Sequence, residues 1–247
     1  MKIKAKMVFI LLPALFVAAL ALAAQNMGGL QVGRLYPERA GEEITYEVKL
    51  GNLWVGEARF KYKGRVDSNG RALNLLVFET RVINFADTEN IYSDPGNFLP
   101  VRIEREVITL FKREYISENY DQKNHRVTIT KNNGKATTEQ RVISSNDVIH
   151  NAILFPYAVR DLPDLVVGCE FRVNLPKRTL RVKLVSIENL KLGNKVFQAF
   201  RFESTPKQIA VWISTDALRI PLKIEGAGVF GYTLILKSYR GQPIRSL

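Results

Sequence analysis

The chain has 247 residues, 46% of them hydrophobic and 24% charged, with a formal net charge of +12 at pH 7. That balance excludes a disordered chain and supplies enough apolar material for a sizeable core. A single cysteine excludes a disulfide framework. The basic excess suits anionic surroundings such as phospholipid or lipopolysaccharide. However, Lys and Arg are scattered along the chain, and no nucleic-acid-binding motif accompanies them, so nucleic acid is not an expected partner.

Lys2, Lys4 and Lys6 precede an apolar run over residues 7–22, and Ala21-Leu22-Ala23 follows as an A-x-A cleavage signal. This is the three-part pattern of a secretory signal peptide. The run is shorter than the roughly 20 apolar residues of a bilayer span, and Pro13 interrupts it. No cysteine follows it as a lipoprotein acceptor. The expectation is a signal peptide over 1–23, export to the periplasm or cell envelope, and no membrane span after cleavage. Residues 24–40, small and polar around Pro37, read as a flexible linker. A single β-rich domain is expected over 41–240.

Ile44, Tyr46, Val48 and Leu50 alternate with polar residues, as do Trp54, Gly56, Ala58, Phe60 and Tyr62. Period-two alternation is the mark of a pleated strand. Asp67-Ser68-Asn69-Gly70 predicts a hairpin turn, and residues 72–82, apolar on both faces, a central strand. The region around 106–143 reads as further, more polar strands at an edge. Strand–turn–strand rhythm returns over 170–214, with Gly193-Asn194 as a turn.

Two stretches share one design. Tyr92, Asp94, Pro100, Arg102 and Glu104 are matched by Trp212, Asp216, Pro221, Lys223 and Glu225. Each reads as an Asp-stabilised turn followed by a proline at the first residue of a strand, where its missing N–H costs no ladder bond. Asp216 and Arg219 could also pair across the second turn. This self-similarity suggests two repeated halves, about 41–143 and 165–240. Between them, residues 146–162 predict one helix, capped by Asn146 or Asp147, kinked or split at Pro156, and covering the sheet. The expected fold is mainly β: a curved antiparallel sheet or half-barrel with that covering helix.

The chemistry of a catalyst is missing from the sequence. His125 and His150 have no carboxylate or cysteine at metal-ligand spacing, and Cys169 sits among apolar residues. There is no nucleophile elbow, zinc-protease motif or phosphate-cradling loop. No cofactor, metal or catalytic residue is therefore assigned.

The segments ITYEVKLGNLWVGEA (44–58), YSDPGNFLPVRIE (92–104), SNDVIHNAILFPYAVRDL (145–162) and VWISTDALRIPLKIE (211–225) together resemble the exported bacterial domain-of-unknown-function 3108 family. The resemblance implies export and an antiparallel β fold, with no established activity. The family tends towards a tyrosine-rich Asp-Pro-x-Ser start for the helix, where this chain has Asp147-Val148-Ile149-His150. The Asp…Leu-Pro-x-Arg corner is also similar to corners of periplasmic lipoprotein carriers, half-barrels that hold acyl chains under a helical lid.

The leading expectation is a non-enzymatic envelope protein that holds a lipidic or other apolar ligand. Trp54, Trp212 and Phe230 would line its apolar side, with Arg102 and Lys223 on a basic rim. The alternative is a structural or adaptor module that contacts envelope proteins or polysaccharide. A hydrolase of envelope polymer, needing two carboxylates about 5–10 Å apart in a cleft, ranks last.

Overall fold

The computed structural model describes residues 39–132, 138–162, 164–227 and 231–241. The expected signal peptide, most of the expected linker, and Phe230 lie outside the described residues. Alternating sequence becomes strand almost throughout: β1 (Glu42–Leu50), β2 (Leu53–Ser68), β3 (Arg71–Val82), β4 (Phe85–Ser93), β5 (Pro100–Thr109), β6 (Lys112–Asp121), β7 (Arg126–Asn132), β8 (Thr138–Ser144), β9 (Glu170–Leu175), β10 (Arg178–Leu192), β11 (Lys195–Thr205), β12 (Ile209–Ser214), β13 (Pro221–Gly226) and β14 (Tyr232–Arg240). All belong to one antiparallel sheet in the order β8-β7-β6-β5-β4-β3-β2-β1-β14-β13-β12-β11-β10-β9. The sheet is open, with β8 and β9 as its edges.

This order is two six-strand meanders laid head to tail. Strands β1–β6 and β9–β14 progress in the same direction, β1 joins them by pairing with β14, and the β7–β8 hairpin extends the first. The corner between the fourth and fifth strands is built alike in both. Pro100 opens β5 and Pro221 opens β13. The register slips just before each proline's partner, between Tyr92 and Ser93 and between Trp212 and Ile213. Phe98 and Arg219, each two residues ahead of its proline, take positive φ of 57° and 46°. The turn closes on the residue before the proline, by Asp94 N–H to the Leu99 carbonyl and Ser214 N–H to the Ile220 carbonyl, both 2.9 Å. Asp94 Oδ1 accepts the Gly96 N–H at 2.9 Å, and Asp216 Oδ1 accepts the N–H groups of Leu218 and Arg219 at 3.1 and 3.0 Å.

One face of the sheet is the interior. Ile44, Tyr46, Phe60, Leu76, Ile91 and Ile103 from one meander and Val182, Leu184, Phe202, Val211 and Leu222 from the other are all buried in one cluster. Across this face runs a strap, residues 145–162, that links the two sheet edges. Only its second part is helical, a 3-10 turn (Ala152–Leu154) leading into α1 (Phe155–Arg160). The helix expected over 146–162 is thus much shorter. Pro156 occupies the first turn of α1, where its missing N–H has no intrahelical partner to lose, so it starts the helix rather than kinking it. Asn151, not Asn146 or Asp147, supplies the cap, accepting the Ile153 N–H at 2.8 Å.

The extended first part of the strap has backbone groups that a helix would have satisfied internally. Two side chains from the meanders do so instead. Gln122 accepts the Ile149 N–H at 2.9 Å and donates to the Ile149 carbonyl at 2.7 Å. Asn174 Nδ2 donates to the carbonyls of Asp147 and Val148 at 3.2 and 3.0 Å. At the far end, Arg160 makes a two-pronged bond to Glu42 at 2.6 and 2.7 Å, with both side chains inaccessible to solvent. Arg39 pairs with Asp161 at 2.5 Å. The chain is therefore packed from Arg39, slightly before the end of the expected linker. The Arg219 guanidinium donates to the carbonyls of Arg160 (3.1 Å) and Leu162, so the second corner holds the end of the strap.

Removing one partner of a buried ion pair strands the other charge in a low dielectric, typically costing about 3–5 kcal/mol. Glu42→Ala is expected to lower the unfolding free energy by an amount of that order in urea titration. A loss below about 1 kcal/mol, the range of exposed pairs, would show that Arg160 does not anchor the strap.

Candidate functional site

The opposite, outer face of β4–β7 is polar for a simple reason of register. Cross-strand pairing lays its side chains out in rows: Thr88, Glu106, Tyr115 and Asn132 in one; Asn90, Glu104, Ser117 and Thr130 in the next; Tyr92, Arg102, Asn119 and Thr128 in the third. The first two rows line an open groove of about 430 Å³. Hydroxyl, amide and carboxylate groups thus face one space, beside a Tyr115 ring that is 46% exposed.

The charges in the groove are neutralised in place. Arg113 pairs with Glu106, and Arg102 with Glu104 at 3.1 Å. Arg113 and the Tyr115 hydroxyl hold the Glu106 carboxyl below its ordinary range. The Arg102 guanidinium lies 4.3 Å from the Tyr92 ring centroid, and the Tyr92 hydroxyl donates to Glu104 at 3.4 Å. Such a surface can donate and accept several hydrogen bonds and offer one aromatic platform.

Directly behind it, on the inner face, sits a second polar cluster. Arg105 donates to both oxygens of Asp87, at 2.9 and 2.5 Å, and lies 3.4 Å from Glu89. Because the guanidinium fork is turned to Asp87, Glu89 Oε1 has no hydrogen bond. Burial raises the Glu89 carboxyl to about 8, and the neighbouring Asp87 and Glu118 add to the rise while Arg105 opposes it. Burial also raises Glu118, against the donated hydrogen bond of Tyr120. Glu89 therefore keeps its proton near neutral pH, and Glu89 and Glu118 are 3% and 6% exposed, so neither reaches the groove.

The residues singled out in sequence fall apart in space. Trp54 is 60% exposed: a bulge in β2 opposite Val48 and Lys49 pairs it with Lys49, on the outer face next to the Gly51–Asn52 turn, while Val55 packs against the core. Trp212 is buried on the outer face, not against the interior, because its strand partners are Arg201 and Lys223. Lys223 Nζ lies 4.4 Å from its ring, and its indole N–H donates to Glu188 at 2.7 Å. Arg102 and Lys223 accordingly cover aromatic rings in mid-sheet rather than forming a rim. The pairs Tyr92–Arg102 and Trp212–Lys223 are equivalent parts of the two corners. Asp94, Pro100, Asp216, Arg219 and Pro221 build those corners as described above. His150 is buried, with Nδ1 3.3 Å from the Asn174 carbonyl, and burial lowers it to about 4, so it is neutral at pH 7. Cys169 is a half-buried free thiol. Among the described residues no group of three or more His, Cys, Asp or Glu is placed to hold a metal ion, and no helix is long and apolar enough to cross a membrane.

A family model described as "Protein of unknown function (DUF3108)" matches residues 45–237. The chain belongs to the DUF3108 family. The DUF3108 span runs from β1 into β14 and takes in both meanders, the strap, the groove and the buried cluster. No curated protein matches the chain.

Sequence reading missed the groove of this DUF3108 chain. Its signal was present as Thr, Asn, Ser and Glu on one parity of four successive strands, but only the register shows that they share a surface. The inner cluster gives a pH prediction. An acid whose folded pKa is raised binds more protons folded than unfolded, so its contribution to stability is full below the unfolded value and is lost as pH rises towards the folded one. For Glu89 this window runs from its ordinary value of 4.5 to about 8. Glu89→Gln is expected to flatten the fall of the thermal midpoint across that window and to be more stable than the parent at pH 8. Identical slopes for the two proteins would show that Glu89 titrates normally.

Proposed function

We propose that this chain is a non-enzymatic protein of the cell envelope that binds polysaccharide along the outer face of β4–β7. The observation that carries the reading is the groove of about 430 Å³ with its rows of Thr, Asn, Ser and Glu around the exposed Tyr115 ring. A sugar ring offers hydroxyls that both donate and accept, and C–H faces that rest on an aromatic ring. Amides, hydroxyls and carboxylates on a rigid sheet meet the first need without reorganisation, and Tyr115 meets the second. The neutralised charges favour an uncharged glycan over a strongly anionic one. The expected export signal supports the compartment.

A lipid held between sheet and strap has less support. The Tyr157 ring lies 6.0 Å from Phe60 and 5.9 Å from Tyr62, and Phe155 packs edge-on to Phe202 at 5.6 Å, where an acyl chain would run. A glycosidase would need a proton-holding carboxyl beside a second carboxylate. In the groove Arg113 keeps Glu106 ionised, and Glu89, whose carboxyl burial raises to about 8, faces the other side.

Isothermal titration against a panel of soluble oligosaccharides tests the reading. Tyr115→Ala is expected to weaken binding by about tenfold, in line with the loss of one aromatic contact, with the thermal midpoint unchanged. If no oligosaccharide binds, or the variant binds like the parent, the groove is not a glycan site.

A further inference from the structure

The two ends of the sheet differ in chemistry. At one end four of the five described hairpin turns are built on aspartate, Asp67 before β3, Asp94 before β5, Asp121 before β7 and Asp216 before β13, and the fifth, between β10 and β11, is Gly193-Asn194. At the other end lie the β1–β2, β3–β4 and β5–β6 turns, with sequences KLGNLW (49–54), RVINF (81–85) and TLFKR (109–113). Each combines large apolar residues with Lys or Arg, and none contains an acid. The side chains at these tips are bare: Leu53 72%, Trp54 60%, Ile83 69%, Leu110 63% and Phe111 93% exposed. Scattered exposed apolar residues are ordinary, but a run of them on successive tips marks an interaction surface. The cations Lys112 and Arg113 remain 48% and 58% exposed while also reaching Glu114 and Glu106 further along β6 and β5.

We propose that these three hairpin tips dock the protein onto an anionic lipid bilayer, with Trp54, Ile83 and Phe111 entering the boundary between headgroups and acyl chains. Adjacent strands are about 4.8 Å apart, so tips two strands apart are spaced by roughly 10 Å and the three span about 20 Å. Short apolar tips of this kind reach the outer part of the acyl layer without exposing strand backbone to it. Trp suits that boundary because one edge of its ring is apolar and the other donates a hydrogen bond. Lys49, Arg81, Lys112 and Arg113 sit just behind the apolar tips, at the depth of lipid phosphates, and the absence of acid at these turns makes the surface complementary to negative charge. A protein partner would also accept apolar side chains, but the basic ring and the separation of the three tips match a fluid anionic surface better than one rigid pocket. This docking uses the end of the sheet and glycan binding its face, with Arg113 at the border of the two.

The test is tryptophan quenching in the full chain bound to vesicles of phosphatidylglycerol and phosphatidylcholine with brominated acyl chains. Trp54 and Trp212 are the two tryptophans, and Trp212 is buried at 4% exposure, so Trp54→Phe supplies the baseline. Expected is quenching about threefold greater in the parent than in Trp54→Phe, as required for a ring at the acyl boundary. The Leu110→Ser/Phe111→Ser double variant, with both sites exposed, should keep the parent's thermal midpoint and quench Trp54 markedly less. Quenching of Trp54 no greater than the baseline in vesicle-bound protein, equal quenching in purely phosphatidylcholine vesicles, unchanged quenching in the double variant, or no vesicle binding would each overturn the proposal. Reading Trp54 itself keeps the result separate from any contribution of the apolar run over 7–22, which all the proteins share.

Discussion

The strap's exposed backbone is the constraint on which the interior depends. A segment laid on an oily sheet face must satisfy its N–H and C=O groups locally or lose several kcal/mol for each one left unpaired. Residues 145–151 are not helical, so they borrow Gln122 from the turn after β6 and Asn174 from β9. These two amides belong to different meanders. The Arg160–Glu42 pair then fixes the helical end to β1, the strand at which the meanders meet. Three polar contacts thereby hold one crossing segment to both halves and to the seam between them. That ties the curl of an otherwise open sheet to a single geometry.

With the inner face occupied, the surfaces left for recognition are the outer face and the two ends. The outer face is uneven. Over β10–β13 it is a network of Glu188, Arg201, Glu203, Lys223 and Glu225 closing over Trp212. Over β4–β7 it is mostly uncharged and opens into the groove. The same corner device thus serves two settings: Lys223 helps to cover Trp212, whereas Arg102 over Tyr92 borders a surface that remains accessible. The first meander thus keeps an open outer face where the second seals its own. The acid-free, apolar tips at one end of the first meander would present that open face beside a membrane surface.

Much of the fold was legible because it rests on local rules. Period-two alternation marked the strands, Asn-Gly and Asp-rich turns marked the hairpins, and the prolines at 100 and 221 marked strand starts. The helix was overextended because Val148, Ile149, Ala152 and Ile153 have helical spacing, yet Ile149 and Ile153 reach the core from a strap that is extended in its first part. Spacing alone cannot separate these cases when side chains of distant strands satisfy the backbone. The binding residues were misplaced for a different reason. Trp54 and Trp212 were read as interior because they are aromatic. Parity sends Trp212 outward, and a bulge in β2 turns Trp54 to the face of Lys49. The groove needed register across four strands, which no single stretch of sequence contains.

The most direct test of the division between a filled interior and a recognising outer face is amide hydrogen exchange measured with and without a bound oligosaccharide. Slowed exchange is expected in β4–β7, around Asn90, Ser117 and Thr130, with the strap and β11–β12 unchanged. Slowing confined to the strap and the inner strands around Tyr157 and Phe202 would place the ligand inside the sheet and contradict the assignment of the outer groove.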